Sequence, residues 1–140
     1  MGDLTANFSR SEFACSCGDC DNVAVDFMLV KALQEACDHF AEKYNQTVSC
    51  KITSGNRCIE SNIKALMQYS GKTLEEAKQS KSKHLFSMAA DHKFYLKQSN
   101  HQIEPEEVAE YYETKYSDSF GIGRYHNRTH LDSRDIKARW

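Results

Sequence analysis

Four segments of the chain have the residue pattern of helices. Residues 27–44 place apolar side chains three and four positions apart, which is the spacing of one helix face. Asp26 precedes them and suits an N-cap, because its carboxylate can accept hydrogen bonds from free amide groups of the first turn. Residues 59–69 and the segment that begins at Pro105 are predicted as two more helices, and residues 73–80 are helix-prone. We therefore expect about three main helices.

Four shorter segments have the pattern of strands. Residues 48–53 alternate along the chain as a short strand does, and residues 88–96 suit a central strand. Two further strands are predicted near residues 122–126 and 128–132. Parallel pairing needs long crossover helices, which the last three strands lack throughout. The predicted fold class is therefore α+β, with a small antiparallel sheet packed against the helices.

Length and composition limit the number of domains and the kinds of partner that this chain can have. The 140 residues suit one domain, so residues 1–140 are treated as a single domain. The chain has 18 Lys and Arg and 20 Asp and Glu, so its formal net charge is −2. This charge gives no general electrostatic attraction to nucleic acid. No apolar run approaches the ~20 residues that a membrane span needs. We expect no nucleic-acid partner, no membrane insertion and a monomer.

The N-terminal residues and the cysteines indicate whether the thiols are reduced and whether they could bind a metal. The first residues, MGDLTANF, lack the basic start and apolar stretch of a secretory signal peptide, so we expect reduced thiols. Cys15, Cys17 and Cys20 are closely spaced, and together with Cys58 they could hold a structural zinc ion. The alternative is small buried thiols near a tight turn at Gly18. Both interpretations stay open.

One segment combines a histidine and a carboxylate with small or apolar neighbours. His84 and Asp91 are seven residues apart, and Asp91 enters the predicted strand 88–96. A buried carboxylate is costly unless it is paired or binds a metal. Neutral imidazole and carboxylate are both good zinc ligands. The segment indicates either a zinc site or, on the plainer interpretation, an Asp that caps a turn and an exposed His.

A second histidine–carboxylate pair lies near the end of the chain. On a strand, His130 and Asp132 point to the same face because alternate side chains do so. With His84 and Asp91, His130 completes a set of three ligands, which leaves a fourth position for water as in catalytic zinc sites. Asp132 could then act as general base or orient a ligand.

Short motifs follow one another in a fixed order from residue 8 to residue 140. Their residues are Phe8, Glu12, Phe13, Cys15, Ser54, Gly55, Arg57, Cys58, Asn62, Ser82, His84, Ala89, Asp91, Gly121, Gly123, Tyr125, His130, Asp132, Arg134, Ala138, Arg139 and Trp140. In this order they resemble the D-Ala-D-Ala metallopeptidases, a zinc peptidase family that also includes phage L-alanyl-D-glutamate endolysins. The zinc fold of the hedgehog signalling domain is related, so the resemblance implies a fold of that type.

The resemblance also implies roles for individual residues. The implied ligands of Zn²⁺ are His84, Asp91 and His130. Arg57 and Ser82 would bind the substrate, and Arg57 would also contribute to catalysis; the alternative for Arg57 is a salt bridge that braces its loop.

Two positions depart from the family pattern. Ser87 stands where relatives have Gly, so a positive φ there would strain the backbone. Asn127 stands where several relatives have a carboxylate, and an amide cannot act as a base. The predicted general base is therefore Asp132, with His126 as second choice.

The resemblance implies a zinc metallopeptidase that hydrolyses bacterial peptidoglycan peptides, in the stem peptides or in the cross-links. An endopeptidase of a phage or prophage lysis system is favoured over a D-Ala-D-Ala carboxypeptidase. Such an enzyme is made in the bacterial cytoplasm and acts on the cell wall after release, or is virion-associated. The alternative function is a non-hydrolytic, zinc-containing binding or virion structural module of the same fold, which Asn127 favours.

Overall fold

The computed structural model describes residues 2–140, and four α-helices lie within them. Their bounds are α1 Phe27–Tyr44, α2 Ile59–Tyr69, α3 Leu74–Lys78 and α4 Pro105–Lys115. Short 3-10 turns cover Arg10–Phe13 and Lys83–Phe86. Asp26 caps α1 as predicted, because its Oδ2 accepts hydrogen bonds from the amides of Met28 and Leu29 at 3.1 and 3.3 Å. No helix among the described residues is long and apolar enough to cross a membrane.

Within residues 2–140, six strands form one sheet. Their bounds are β1 Val48–Ser54, β2 Ala89–Leu96, β3 His101–Gln102, β4 Gly121–Arg124, β5 Thr129–Asp132 and β6 Ala138–Arg139. The order across the sheet is β1-β2-β5-β4-β6, and β3 pairs with the end of β2. The α+β class is confirmed.

One strand pair differs from the predicted antiparallel arrangement. β6 lies beside β4 and runs parallel to it, whereas the other pairs are antiparallel. Since β4 is itself antiparallel to β5, β6 runs opposite to β5 with β4 between them. The chain therefore needs only a short loop to reverse after β5, and no crossover helix is required. The sheet is mixed for this reason.

The hydrophobic core lies on the face of the sheet that α1 and α4 cover. Leu33 and Phe40 of α1 and Tyr112 of α4 are buried there with Phe94 of β2 and Leu131 of β5. Alternate residues of β2 and β5 point to the opposite face, because side chains alternate along a strand. Charged and polar side chains occupy that second face at the centre of the sheet.

The turn before β2 contains the predicted backbone strain. Ser87 has φ 59° and ψ 27°, which is the left-handed region that a residue with a Cβ rarely adopts. The carbonyl of Ser87 accepts a hydrogen bond from the amide of Asp26 at 2.8 Å, so this turn is tied to the start of α1. The strained residue thus connects the 3-10 turn 83–86 to the strand that follows.

Candidate metal centre and substrate cleft

The central pair of the site consists of Asp91 on β2 and His130 on β5. The two residues are directly opposite each other in the antiparallel register, and their side chains share the polar face. His130 Nδ1 lies 2.8 Å from Asp91 Oδ1. Both residues are buried, and both lie within paired strands. The register of the sheet therefore brings together two residues that are 39 positions apart in sequence.

His84 joins this pair from the 3-10 turn. Its Nδ1 donates a hydrogen bond to the carbonyl of Gly55 at 2.6 Å, which leaves Nε2 free to face Asp91 Oδ2 at 3.6 Å. One donor atom from each of His84, Asp91 and His130 lies within 4.8 Å of the other two. Two imidazole nitrogens and one carboxylate oxygen in a buried cluster are a donor set that zinc accepts readily. The residues present therefore fit a three-ligand zinc centre.

Asp132 contacts His130 and does not line the open side of the site. His130 Nε2 donates to Asp132 Oδ2 at 2.8 Å, while Arg134 donates to both carboxylate oxygens at 2.6 and 2.7 Å. Asp132 is fully buried, and a Cβ at Gly121 would overlap its carboxylate. Because Asp132 engages Nε2, it leaves Nδ1 of His130 for a metal. Such a carboxylate contact orients a ligand and raises its basicity.

Burial and hydrogen bonding set the charge states in this cluster. Burial lowers the pKa of His84, so its imidazole is neutral and available as a ligand. Burial opposes charge on His130 as well, but the carboxylates of Asp132 and Asp91 outweigh it and raise the pKa of His130. Burial opposes ionisation of both carboxyl groups, yet their hydrogen bonds hold the pKa of Asp91 and of Asp132 well below the usual range. The Asp91 carboxylate is therefore ionised at neutral pH.

A cleft of about 230 Å³ opens beside the three ligands. Side chains from several separate parts of the chain border it: Arg57, Tyr69, Ser82, Tyr125, Arg128 and Trp140. Arg57 lies in the loop after β1, where Ser54 Oγ and Asn62 Oδ1 accept its hydrogen bonds at 3.1 and 3.4 Å. Arg57 Nη2 also lies 3.5 Å from Asp91 Oδ2. Arg57 thus braces its loop and also reaches the metal-ligand cluster.

Sequence reasoning did not single out Arg128, which is the second guanidinium of the cleft. Arg128 Nε lies 4.0 Å from Asp91 Oδ2, and its guanidinium lies 4.0 Å from the centre of the Tyr125 ring. Tyr125 in turn accepts a hydrogen bond from Trp140 Nε1 at 2.9 Å. The Trp140 ring lies 4.8 Å from the ring of His130. Tyr125 and Trp140 belong to the family motifs, whereas no motif signals Arg128.

The second predicted base, His126, lies outside this cleft. It is exposed on the turn between β4 and β5 and borders a different depression, together with Glu104, Glu106 and Arg124. Asn127 is also exposed, and its Oδ1 accepts a hydrogen bond from Arg128 at 3.1 Å. Among residues 2–140, Asp91 is the one carboxylate that lines the cleft. Neither predicted base therefore points a free proton acceptor into it.

His84, Asp91 and His130 form a candidate three-ligand metal centre of the kind that zinc hydrolases use, with one side open to an arginine-lined cleft. The family model described as Peptidase M15 matches residues 6–132, which is most of the chain. The chain therefore belongs to the peptidase M15 family, and the resemblance to D-Ala-D-Ala metallopeptidases is confirmed. Family membership makes it a zinc peptidase. No curated protein and no solved structure matches the chain.

Proposed function

We propose that this zinc peptidase hydrolyses peptide bonds of bacterial peptidoglycan, as an endopeptidase of a phage or prophage lysis system. The observation that carries the proposal is the pair of guanidinium groups, Arg57 and Arg128, that flank Asp91 at the open side of the centre. Peptidoglycan peptides are rich in free carboxylates, and guanidinium groups bind carboxylates through paired, charge-assisted hydrogen bonds. A lysis enzyme of this kind is made in the bacterial cytoplasm and acts on the wall after release.

The surroundings of Arg57 support an endopeptidase. Arg57 borders three adjoining depressions, of about 680, 340 and 230 Å³. A peptide can therefore extend from the cleft past Arg57 into a neighbouring depression, as the substrate of an enzyme that cuts inside a chain requires. A carboxypeptidase needs a closed end that receives the terminal carboxylate, whereas these depressions are open to solvent.

The chain's own side chains supply binding and orientation. Arg57 and Arg128 hold the substrate carboxylate, and Arg57 also stabilises negative charge that develops on the scissile carbonyl oxygen. The carbonyl of Gly55 keeps Nε2 of His84 free, and Asp132 keeps a proton on Nε2 of His130. Zinc held by His84, Asp91 and His130 would polarise the scissile carbonyl and acidify a water molecule.

Digestion of purified peptidoglycan tests the proposal. The zinc-loaded protein should release new amino termini, a chelator should abolish the release, and mass spectrometry of the fragments should identify an internal peptide bond. Arg57→Ala and Arg128→Ala should each retain the zinc of the His84–Asp91–His130 centre and reduce turnover. Arg10→Ala is the matched control, because it removes an exposed arginine that does not line the cleft. It should leave turnover unchanged.

The absence of a second carboxylate from the cleft favours one other function. A non-hydrolytic module that binds cell-wall peptides, or that forms part of a virion, needs the ligands and arginines but no proton acceptor. Zinc-dependent binding of peptidoglycan fragments without any release of amino termini would support that module. If release does occur, His126→Ala decides whether His126 accepts the proton, since an unchanged rate would exclude it.

A further inference from the structure

Four cysteines that the peptidase centre does not use converge at the start of α2. They are Cys15, Cys17, Cys20 and Cys58. One sulfur from each lies within 4.8 Å of the other three, and Cys17 Sγ is 3.4 Å from Cys20 Sγ. A tetrahedral zinc ion with Zn–S bonds of ~2.3 Å places its sulfurs ~3.8 Å apart. All six cysteines are free thiols, so this spacing is not the result of disulfide bonds.

Backbone amides point at three of the sulfurs, as they do when sulfur carries negative charge. The amide of Cys58 donates to Cys15 Sγ at 3.4 Å, and the amide of Asp19 donates to Cys17 Sγ at 3.3 Å. The amide of Ser61 donates to Cys58 Sγ at 3.4 Å, and Cys58 occupies the N-cap of α2. A helix N-terminus favours a thiolate over a thiol. The cluster is therefore built for anionic sulfur, which is the metal-binding form.

The four sulfurs lie so close together that negative charge on one would oppose charge on the next. A divalent cation removes this opposition because it binds all four as thiolates.

The segment that carries three of the cysteines has little else to hold it. Residues 14–26 form neither helix nor strand, and Gly18 turns the chain with φ 78°. The segment does touch the loop after β1, where the side-chain amide of Asn56 donates to the carbonyl of Ala24 at 2.6 Å. An irregular segment with clustered thiols is the usual setting of a structural metal.

We propose that Cys15, Cys17, Cys20 and Cys58 bind a second, structural zinc ion, separate from the peptidase centre. With four protein ligands the site is closed, so it has no open position for water or substrate. The ion fastens the segment 15–20 to Cys58, which directly follows Arg57. The amide of Arg57 donates to the carbonyl of His84 at 3.0 Å. The second ion therefore also fixes the loop from which Arg57 reaches the cleft.

Metal counting on the intact chain tests the proposal independently of catalysis. The protein is purified in reductant, loaded with zinc and freed of excess metal. We expect two zinc ions per chain, one in His84→Ala, and one in the double variant Cys17→Ser/Cys20→Ser. Cys50→Ala is the matched control, because it removes a thiol outside the cluster, and should retain two.

Cobalt substitution gives a second readout that needs no cysteine variant. Cobalt in place of zinc should produce sulfur-to-cobalt charge-transfer absorption in the wild type and, undiminished, in His84→Ala. Amide hydrogen exchange of residues 15–20 in His84→Ala should slow when one zinc ion is added. One zinc per chain in the wild type, together with cobalt spectra that lack sulfur bands, would overturn the second site. Disulfide bonds among the four cysteines in reductant-treated protein would overturn it as well.

Discussion

The two faces of the β2–β5 pair carry buried histidines whose pKa values are shifted in opposite directions. His130 lies on the polar face, is 6% exposed and has a raised pKa, because Asp132 and Asp91 outweigh the effect of burial. His92 lies on the core face, is 1% exposed, and burial lowers its pKa to about 4. His92 Nε2 contacts Tyr112 Oη at 2.8 Å, and Nδ1 contacts the carbonyl of Ala90 at 3.1 Å. Burial is similar for the two histidines, so their partners decide the direction of the pKa shift.

The difference shows how one sheet serves function and stability at once. Asp91 and His92 are adjacent in sequence and point to opposite faces, so a shift of one residue in register would exchange them. The polar face concentrates ionised groups that stabilise the fold only when they are paired or bind a metal. The core face carries neutral, satisfied groups that contribute to packing. Changes on the first face should therefore alter metal and activity, and changes on the second should alter stability.

The largest expected effect comes from removal of a metal ligand. His84→Ala should lose one zinc ion per chain and bring hydrolysis of peptidoglycan, the proposed substrate, down to background, because two ligands cannot hold the ion. Metal analysis and the release of amino termini measure both effects. His101→Ala removes an exposed histidine and should change neither quantity. An unchanged zinc content in His84→Ala would refute the ligand assignment.

The next effect concerns pH and His92. The ordinary pKa of histidine is 6.5, whereas that of His92 is about 4 in the folded protein, so only the unfolded chain takes up this proton between those values. The contribution of His92 to the free energy of unfolding is therefore complete above pH 6.5. It falls on acidification, by about 3 kcal/mol at pH 4. Denaturant titrations of the wild type and of His92→Gln from pH 7 to pH 4 measure it.

The variant should lose less stability than the wild type over that range, since glutamine does not titrate. The other ionisable groups are present in both proteins, so their contributions cancel in the difference. Equal pH slopes for the two proteins would show that His92 takes up its proton as readily in the folded state as in the unfolded state.

A smaller effect is expected at Asp132, whose carboxylate accepts the hydrogen bond of His130 Nε2. Asp132→Asn should weaken zinc binding by ~10–100-fold, because the amide is a poorer partner for His130 Nε2 than the carboxylate. Competition with a chelator measures the affinity. Asp135→Asn changes an exposed carboxylate and serves as the control. Wild-type zinc affinity with a rate that falls ~10²–10⁴-fold would instead identify Asp132 as the general base.

The smallest effect is expected at the strained turn that leads into β2. Ser87→Gly should stabilise the protein by about 1 kcal/mol, because glycine adopts a φ of 59° without the clash of a Cβ. Thermal or denaturant unfolding measures the gain. Ser99→Gly, at an exposed turn residue whose φ is not positive, should give no gain. Equal effects of the two substitutions would mean that Ser87 stores no strain.

The sequence by itself determined the elements whose signals are local. Residues 27–44, 59–69 and the helix from Pro105 are helical as predicted, because amphipathic spacing and helix caps act over a few residues. The strands around Asp91 and His130 were predicted from strand-like residue patterns, which are also local. The resemblance in ordered motifs added the family, which the match over residues 6–132 confirms.

Only the tertiary structure decided what depends on contacts between distant residues. The pairing of Asp91 with His130 follows from the register of β2 and β5. Likewise, only the folded chain places β6 beside β4 and parallel to it. Asp132 was predicted as a general base or a ligand-orienting group, and its contacts with His130 and Arg134 favour the second role. Arg128 reaches the cleft from the turn before β5, whereas the sequence predicted that a strand begins at residue 128. Local sequence sets dihedral preferences and periodicity, whereas the packing of the whole chain sets which side chains meet.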